Sequence, residues 1–127
     1  MDKDLDVDVI LNMFRHSDAS QAFSPAEVIF KQDSDADKMY LVIEGVVEVG
    51  VDGRSVATLT PGNILGEMAL VLKMPRAATA LAKTNCKLVP IDRDKFIQIV
   101  KDYPQFALFI IKDLSKKIIE LNKKVTA

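Results

Sequence analysis

The sequence has only one cysteine, Cys86, and one histidine, His16. A single cysteine excludes a disulfide framework and cysteine-rich metal or iron–sulfur sites. A metal-dependent enzyme on a β-scaffold needs several histidines and an acid around one ion, and any Ser–His–acid or Cys–His combination would have to use the same His16. We therefore expect no catalytic residues, no metal site and no cofactor, and we expect that the protein is not an enzyme. His16 should be exposed or end a helix, and Cys86 should be a small core residue.

Long apolar runs and an excess of one charge are also missing. No run approaches the roughly 18 apolar residues that span a bilayer, and the acidic start of the chain does not resemble a signal peptide. The formal net charge is -1, so no overall field attracts nucleic acid or an anionic membrane. We expect a cytoplasmic protein with no nucleic-acid or membrane partner.

The 127 residues fit one domain, 1–127, with three stretches of different periodicity. Residues from about 4 to 23 show helical spacing and predict a helical lead-in. Residues 25–91 contain short β-like runs between turns, and Asp52-Gly53 is typical of a hairpin turn. These runs predict a mainly β protein with flanking helices, an antiparallel β-roll or jelly-roll; they cover 27–31, 39–44, 46–51, 55–59, 78–83 and 87–91.

The third stretch, 92–125, predicts two helices. Asp92 or Asp94 can cap the first of them, and Tyr103-Pro104 separates it from the second. Near its start the second helix has an apolar face that can pack on the β-roll, made by Phe106, Phe109 and Ile110. It also carries an apolar stripe at heptad spacing, formed by Ala107, Ile111, Leu114, Ile118, Leu121 and Val125.

This stripe has two interpretations. It can pair with the same helix of a second copy, or it can belong to one wide face folded onto its own domain, because coiled coils usually need three or four heptads. We favour a homodimer, since the stripe continues into a lysine-rich polar end. The pairs Lys116-Lys117 and Lys123-Lys124 are read as a solvated helix face.

The segment that carries chemistry runs from Pro61 to Leu70 and continues in Pro75-Arg76-Ala77-Ala78-Thr79. Gly66 lets backbone approach a ligand, and the start of a short helix after it presents unpaired N–H groups suited to phosphate. Arg76 can add a charge-assisted contact to that phosphate. Glu67 would repel a bare anion, but it suits a ribose hydroxyl. Alternatively, Glu67 caps the short helix and Arg76 is an ordinary salt-bridge partner.

Leu65-Gly66-Glu67-Met68-Ala69-Leu70 with Pro75-Arg76-Ala77-Ala78-Thr79 resembles the phosphate-binding cassette of cyclic nucleotide-binding domains. Residues 39–45, Lys83-Thr84 and Asp94-Lys95-Phe96 add to the likeness, which covers roughly residues 20–125. It is similar to protein kinase A regulatory subunits and to bacterial catabolite activators.

The resemblance implies the role of each residue in the cassette. Glu67 would bind the ribose 2′-OH and Arg76 the cyclic phosphate. Backbone amides near Met68, Ala69 and Ala77 would complete the phosphate site, with Leu65 and Gly66 as its wall and Ala78 beside it. Family members select guanine partly with a hydroxyl residue directly after the arginine. Ala77 occupies that position here, which favours cAMP over cGMP as the ligand.

In this family the last helix covers the base, and the resemblance puts Leu121 and Asn122 beside it. Asn122 can hydrogen-bond a purine, or it is simply a surface residue between lysines. Ligand binding would order the turn after Gly66 and shift the hinge at Tyr103-Pro104, so that the last helix closes. The chain ends at Ala127, before the DNA-reading or second domain of its relatives. We therefore expect a receptor that signals to an unknown downstream protein, or one module of a larger protein; the alternative is an interaction or dimerisation module that has lost its ligand.

Overall fold

The computed structural model describes residues 7–15 and 19–126, and in this part of the chain four helices flank two four-stranded antiparallel sheets. The first sheet has the strand order β1-β8-β3-β6 and the second β2-β7-β4-β5. This architecture confirms the predicted mainly β fold with flanking helices. The elements in chain order are α1 (Val7–Phe14), β1 (Gln21–Phe23), β2 (Val28–Phe30), β3 (Lys38–Glu44), β4 (Val47–Val51), β5 (Arg54–Leu59), β6 (Ile64–Leu65), α2 (Glu67–Leu72), β7 (Thr79–Ala82), β8 (Cys86–Asp92), α3 (Arg93–Asp102) and α4 (Gln105–Thr126).

The central strand β3 has two apolar faces because successive side chains point to opposite sides of a sheet. Met39, Leu41 and Ile43 pack toward the helices, whereas Tyr40 and Val42 pack toward the second sheet. Strand β8 divides its side chains in the same way between the two clusters. The first sheet is therefore the middle layer between the helices and the second sheet.

The predicted hairpin turn at Asp52-Gly53 is confirmed. It joins β4 and β5, and Val51 pairs with Arg54 across it. Asp52 has φ 52° and Gly53 has φ 81°, as a two-residue type I′ turn requires. This turn sets the register of the β4–β5 pair, whose inner face contributes to the candidate site.

The helices pack on the first sheet through an aromatic cluster. Phe106 of α4 is fully buried, and its ring centroid lies 6.0–6.3 Å from those of Phe14, Phe96 and Phe109. This contact confirms that the apolar face at the start of α4 packs on the domain. Asp92 caps α3, since its Oδ1 accepts a hydrogen bond from the Lys95 amide at 2.7 Å. The helical path breaks at Tyr103 and Pro104, between α3 and α4.

Several predicted boundaries are corrected. The lead-in helix ends at Phe14, and residues 21–23 form β1, where Gln21 pairs with Leu88. The two-residue strand β6 was not predicted. It exists because Leu65 pairs with Tyr40 of β3. Cys86 is buried in the core as expected, whereas His16, residues 4–6 of the lead-in and the side chain of Val125 lie outside the described residues.

The heptad stripe on α4 is divided: Leu114 packs against the core of the domain, whereas three other members of the stripe are exposed. Ile111, Ile118 and Leu121 are 57%, 58% and 61% exposed. The interpretation of the stripe as part of one wide inward face is therefore wrong for these three residues.

None of the helices in residues 7–15 and 19–126 has the length and apolar character of a membrane span.

Candidate functional site

A cavity of about 220 Å³ lies where the second sheet meets α2 and α4. Eight of the ten predicted site residues line it. These eight residues are Leu65, Gly66, Glu67, Met68, Ala69, Arg76, Ala77 and Ala78. The structure thus brings the predicted cassette together in one concave surface.

Gly66 makes the turn from β6 into α2 with φ 81°, a left-handed conformation that suits glycine. A Cβ at this position would collide with the Arg76 guanidinium. The glycine is therefore required twice, for the backbone turn and for the space that the arginine occupies.

The Arg76 side chain is only 4% exposed. Its Nη2 donates to the Lys38 carbonyl at 2.6 Å and its Nη1 to the Gly66 carbonyl at 3.3 Å. The guanidinium carbon lies 4.1 Å from the centre of the Phe30 ring, and the buried Nε has no hydrogen-bond partner. Burial lowers the pKa of the guanidinium, and Tyr40 and Asp37 partly offset this effect. The site therefore holds a buried cation with a free donor.

Arg76 makes no ion pair with a carboxylate within residues 7–15 and 19–126. The alternative interpretation, in which Arg76 is an ordinary salt-bridge partner, is therefore wrong. A buried N–H donor that lacks an acceptor costs free energy.

Glu67, the first residue of α2, is 8% exposed and is paired with a lysine of α4. Lys117 Nζ lies 3.0 Å from Glu67 Oε1 and 2.9 Å from Asp113 Oδ2, and it donates to the Ile64 carbonyl at 2.6 Å. Burial by itself lowers the pKa of Lys117, but the charges and hydrogen bonds of Glu67 and Asp113 outweigh it, and the pKa is raised. The lysine therefore stays charged at neutral pH and ties α4 to Glu67.

This contact corrects the interpretation of Lys116-Lys117 as a solvated face. Lys117 is only partly exposed and lines the cavity. Lys124, further along α4, also turns inward, and its Nζ donates to the Val56 carbonyl of β5 at 3.3 Å. Helix α4 thus lies against the mouth of the β-roll through its lysines.

Three contributors to the site were not predicted: the ring of Phe30, the carbonyl of Lys38 and the ammonium of Lys117. Lys38 and Lys117 lie 38 and 50 residues from their partners in the chain. No local pattern marks Lys38 or the Glu67 partner of Lys117, because the pairing of β3 with β6 and the packing of α4 bring these groups together. The four-residue spacing of Asp113 and Lys117 on α4 was a usable sign that this lysine has a fixed partner.

Leu121 and Asn122 lie outside the cavity. Their side chains are exposed, and they follow Lys117 by about one helical turn on α4. Contact of these two residues with a base stays a prediction, and it requires α4 to move.

The charged groups of the cavity are Arg76, Glu67 and Lys117, and its other lining side chains are apolar. Among the residues that the structure describes, no group of three or more His, Cys, Asp or Glu side chains is arranged to hold a metal ion. The cavity can accept an anionic group, a hydroxyl group and an apolar ring.

The family of the chain follows from a sequence match. Residues 20–103 match the family model described as the cyclic nucleotide-binding domain. The chain therefore belongs to the cyclic nucleotide-binding domain family, as the cassette predicted.

Individual relatives agree with this assignment. The chain is 40% identical over 77 residues to a cAMP-dependent protein kinase regulatory subunit of Eremothecium gossypii, covering 61% of this chain and 17% of that protein. The Thermus thermophilus catabolite activator protein superposes with a TM-score of 0.75 at 26% identity, over 94% of this chain and 57% of that one. A cAMP-bound PfPKA-R superposes with a TM-score of 0.65 at 30% identity, over 84% and 35%. This chain therefore spans about a sixth to a little over half of these relatives.

Proposed function

We propose that the cavity binds a cyclic nucleotide, preferably cAMP, and that binding changes the position of α4. The protein would be a regulatory receptor domain, 1–127, and not an enzyme. The single reduced cysteine, buried in the core, fits a cytoplasmic setting for such a receptor.

The observation that carries this proposal is the buried Arg76 side chain with its unpartnered Nε. A guanidinium has five N–H donors in a planar fork, which matches the oxygens of a phosphate. Two carbonyls take one hydrogen each from Nη1 and Nη2, so donors remain for the ligand. The cyclic phosphate would therefore dock against Arg76, with Ala77 beside it.

Glu67 supports a ribose over a bare phosphate. Its carboxylate has two oxygens, and the contact with Lys117 uses Oε1. A carboxylate can accept several hydrogen bonds, so a ribose 2′-OH can share Glu67 with the lysine. This pairing would also reduce the repulsion between Glu67 and the ligand phosphate.

The choice of cAMP over cGMP rests on the residue after the arginine. Ala77 lines the cavity and offers no hydroxyl to a guanine amino group. The wall near it is apolar as well, with Val49, Ala57 and Leu59 from the second sheet. An apolar wall suits a purine face and adds no hydrogen bond that would favour guanine.

Helix α4 would transmit the signal through Lys117. Because this lysine touches both Glu67 and Asp113, a ligand that engages Glu67 changes the contact between α4 and the cassette. The break at Tyr103 and Pro104 gives α4 a hinge. A ligand shifts such an equilibrium only by the difference in its affinity for the two positions.

Calorimetric titration with cAMP and cGMP tests the proposal. We expect wild type to bind cAMP more tightly than cGMP. Arg76→Ala should lose about 2–4 kcal/mol of binding free energy, because it removes a buried charge-assisted contact. Arg93→Ala is the matched control, since Arg93 is exposed on α3, and it should bind like wild type.

Two results would overturn the proposal. If neither nucleotide binds to wild type, the fold serves here as an interaction or dimerisation module. If Arg76→Ala binds cAMP as wild type does, the phosphate lies elsewhere.

A further inference from the structure

Arg76 is held in the cavity by three different contacts that do not include a carboxylate. Its Nη2 and Nη1 donate to the carbonyls of Lys38 and Gly66 at 2.6 and 3.3 Å. The guanidinium carbon lies over the Phe30 ring, 4.1 Å from the ring centre. Phe30 is the last residue of β2, and its ring packs against Tyr40, with 6.1 Å between the centroids. The ring is thus itself fixed by the first sheet.

The chemical nature of the groups that contact Arg76 determines which of its N–H donors remain for a ligand. A carboxylate would pair with the N–H edges of the guanidinium, which are the groups that a phosphate needs. An aromatic ring attracts the cation through the electron-rich face of the ring and offers it no carboxylate oxygen. With Phe30 beside the guanidinium and carbonyls on Nη1 and Nη2, the buried Nε stays unpartnered.

We propose that Phe30 is a positioning residue for phosphate binding, which sets the orientation of Arg76 before the ligand arrives. This inference rests on the proposed function of the cavity. Without the ring, the guanidinium would have to be ordered when the nucleotide binds, and ordering a long side chain weakens binding. The ring would act through Arg76, in addition to lining the cavity itself.

The first experiment uses the ligand-free protein. The Nε–Hε group of Arg76 should give a slowly exchanging heteronuclear NMR signal in wild type, because the atom is buried and held. In Phe30→Leu we expect this signal to exchange several-fold faster or to broaden, and in Phe30→Tyr to stay as in wild type. An unchanged Nε–Hε signal in Phe30→Leu would overturn the proposal, whether or not any nucleotide binds.

The second experiment is a titration of the same variants with cAMP. Phe30→Leu should bind about two- to tenfold more weakly than wild type, equivalent to about 0.4–1.4 kcal/mol, and Phe30→Tyr should restore the affinity. Phe23→Leu is the matched control, because Phe23 is also a partly buried phenylalanine packed against the same core cluster but does not line the cavity. It should leave cAMP affinity within about twofold of wild type.

These titrations separate a failure of this inference from a failure of the proposed function. If wild type does not bind cAMP, the proposed function fails. If wild type binds and Phe30→Leu binds equally well, only the role of Phe30 fails. If Phe23→Leu and Phe30→Leu weaken cAMP binding equally, the positioning role of Phe30 also fails, because the effect would then come from a general loss of packing. Thermal unfolding of both variants measures that loss.

Discussion

Arg76 and Glu67 are buried charges of opposite sign that share one cavity, yet each is stabilised by other groups. Arg76 relies on backbone carbonyls and an aromatic face, whereas Glu67 relies on the ammonium of Lys117. Had the two paired with each other, each would be neutralised and a ligand would have to break that pair. Their separate partners leave a positive group for a phosphate and a carboxylate for a hydroxyl in the same space.

The role of Glu67 can be tested with a ligand that lacks one oxygen. Wild type should bind 2′-deoxy-cAMP about tenfold to a hundredfold more weakly than cAMP, since a hydrogen bond to a charged group contributes about 1.5–3 kcal/mol. In Glu67→Ala the two ligands should bind with similar affinity, because the acceptor of the 2′-OH is gone. Competition against a fluorescent cAMP analogue measures both ligands on both proteins.

The control for that cycle is Glu48→Ala, which removes a carboxylate from β4 that does not line the cavity. It should keep the wild-type preference for the 2′-OH. A preference that survives in Glu67→Ala would show that the ribose is bound by another group.

At the scale of elements, the sequence predicts those parts of the fold whose pattern is local. Strand β3 has seven residues with a continuous apolar run from Met39 to Ile43, and the Asp52-Gly53 turn is two residues long, so both are readable from short windows. Strands β1 and β6 have only three and two residues. They exist through their pairing with β8 and β3, which no short window contains.

The same distinction holds within the candidate site. The cassette is contiguous from Leu65 to Ala69 and from Arg76 to Ala78, so its chemistry is visible in the sequence. The contributions of Phe30, Lys38 and Lys117 depend on the sheet order and on how α4 docks. The spacing of Lys117 from Asp113 indicates a partner on the same helix, but its contact with Glu67 depends on how α4 docks.

Helix α4 is the element that should respond to the ligand. We expect hydrogen exchange of the amides in 105–126 to differ between the cAMP-bound and ligand-free proteins. In the ligand-free protein, Lys117→Met should raise exchange in this segment about fivefold, equivalent to about 1 kcal/mol. We expect an effect of only this size because the Lys117 side chain is 37% exposed and solvent screens its ion pairs.

Lys116→Met is the matched control, since Lys116 is the exposed neighbour of Lys117 on the same helix. It should leave the exchange of 105–126 unchanged. Equal protection of this segment with and without cAMP would contradict the role of α4 in signalling, even if the nucleotide binds as expected.

At the scale of the whole molecule, α4 has two faces with different environments. Phe106, Phe109 and Ile110 bury one face against the domain. Ile111, Ile118 and Leu121 leave an apolar stripe exposed on the other, and exposed apolar stripes of this kind mark surfaces for association. The helix has 22 residues, about 33 Å at 1.5 Å per residue, which is long enough for two copies to pair along it.

The burial of Phe106 also decides how dimerisation should be tested. A chain ending at Pro104 would lose Phe106, Phe109 and Ile110 from the core, so its behaviour would report unfolding as well as dissociation. A substitution in the exposed stripe avoids this problem. Ile118, which is 58% exposed, is therefore the position to change.

We propose that two copies pair through α4, and sedimentation of wild type and Ile118→Gln tests it. Pairing would bury one isoleucine from each copy, and burial of such a side chain contributes about 1.5–3 kcal/mol. Ile118→Gln should therefore weaken the dimer about a hundredfold or more, with little change in thermal stability. Ile97→Gln is the control, because Ile97 is 54% exposed on α3, away from the stripe, and it should sediment as wild type does. If wild type is monomeric both with and without cAMP, the stripe does not pair with its own copy.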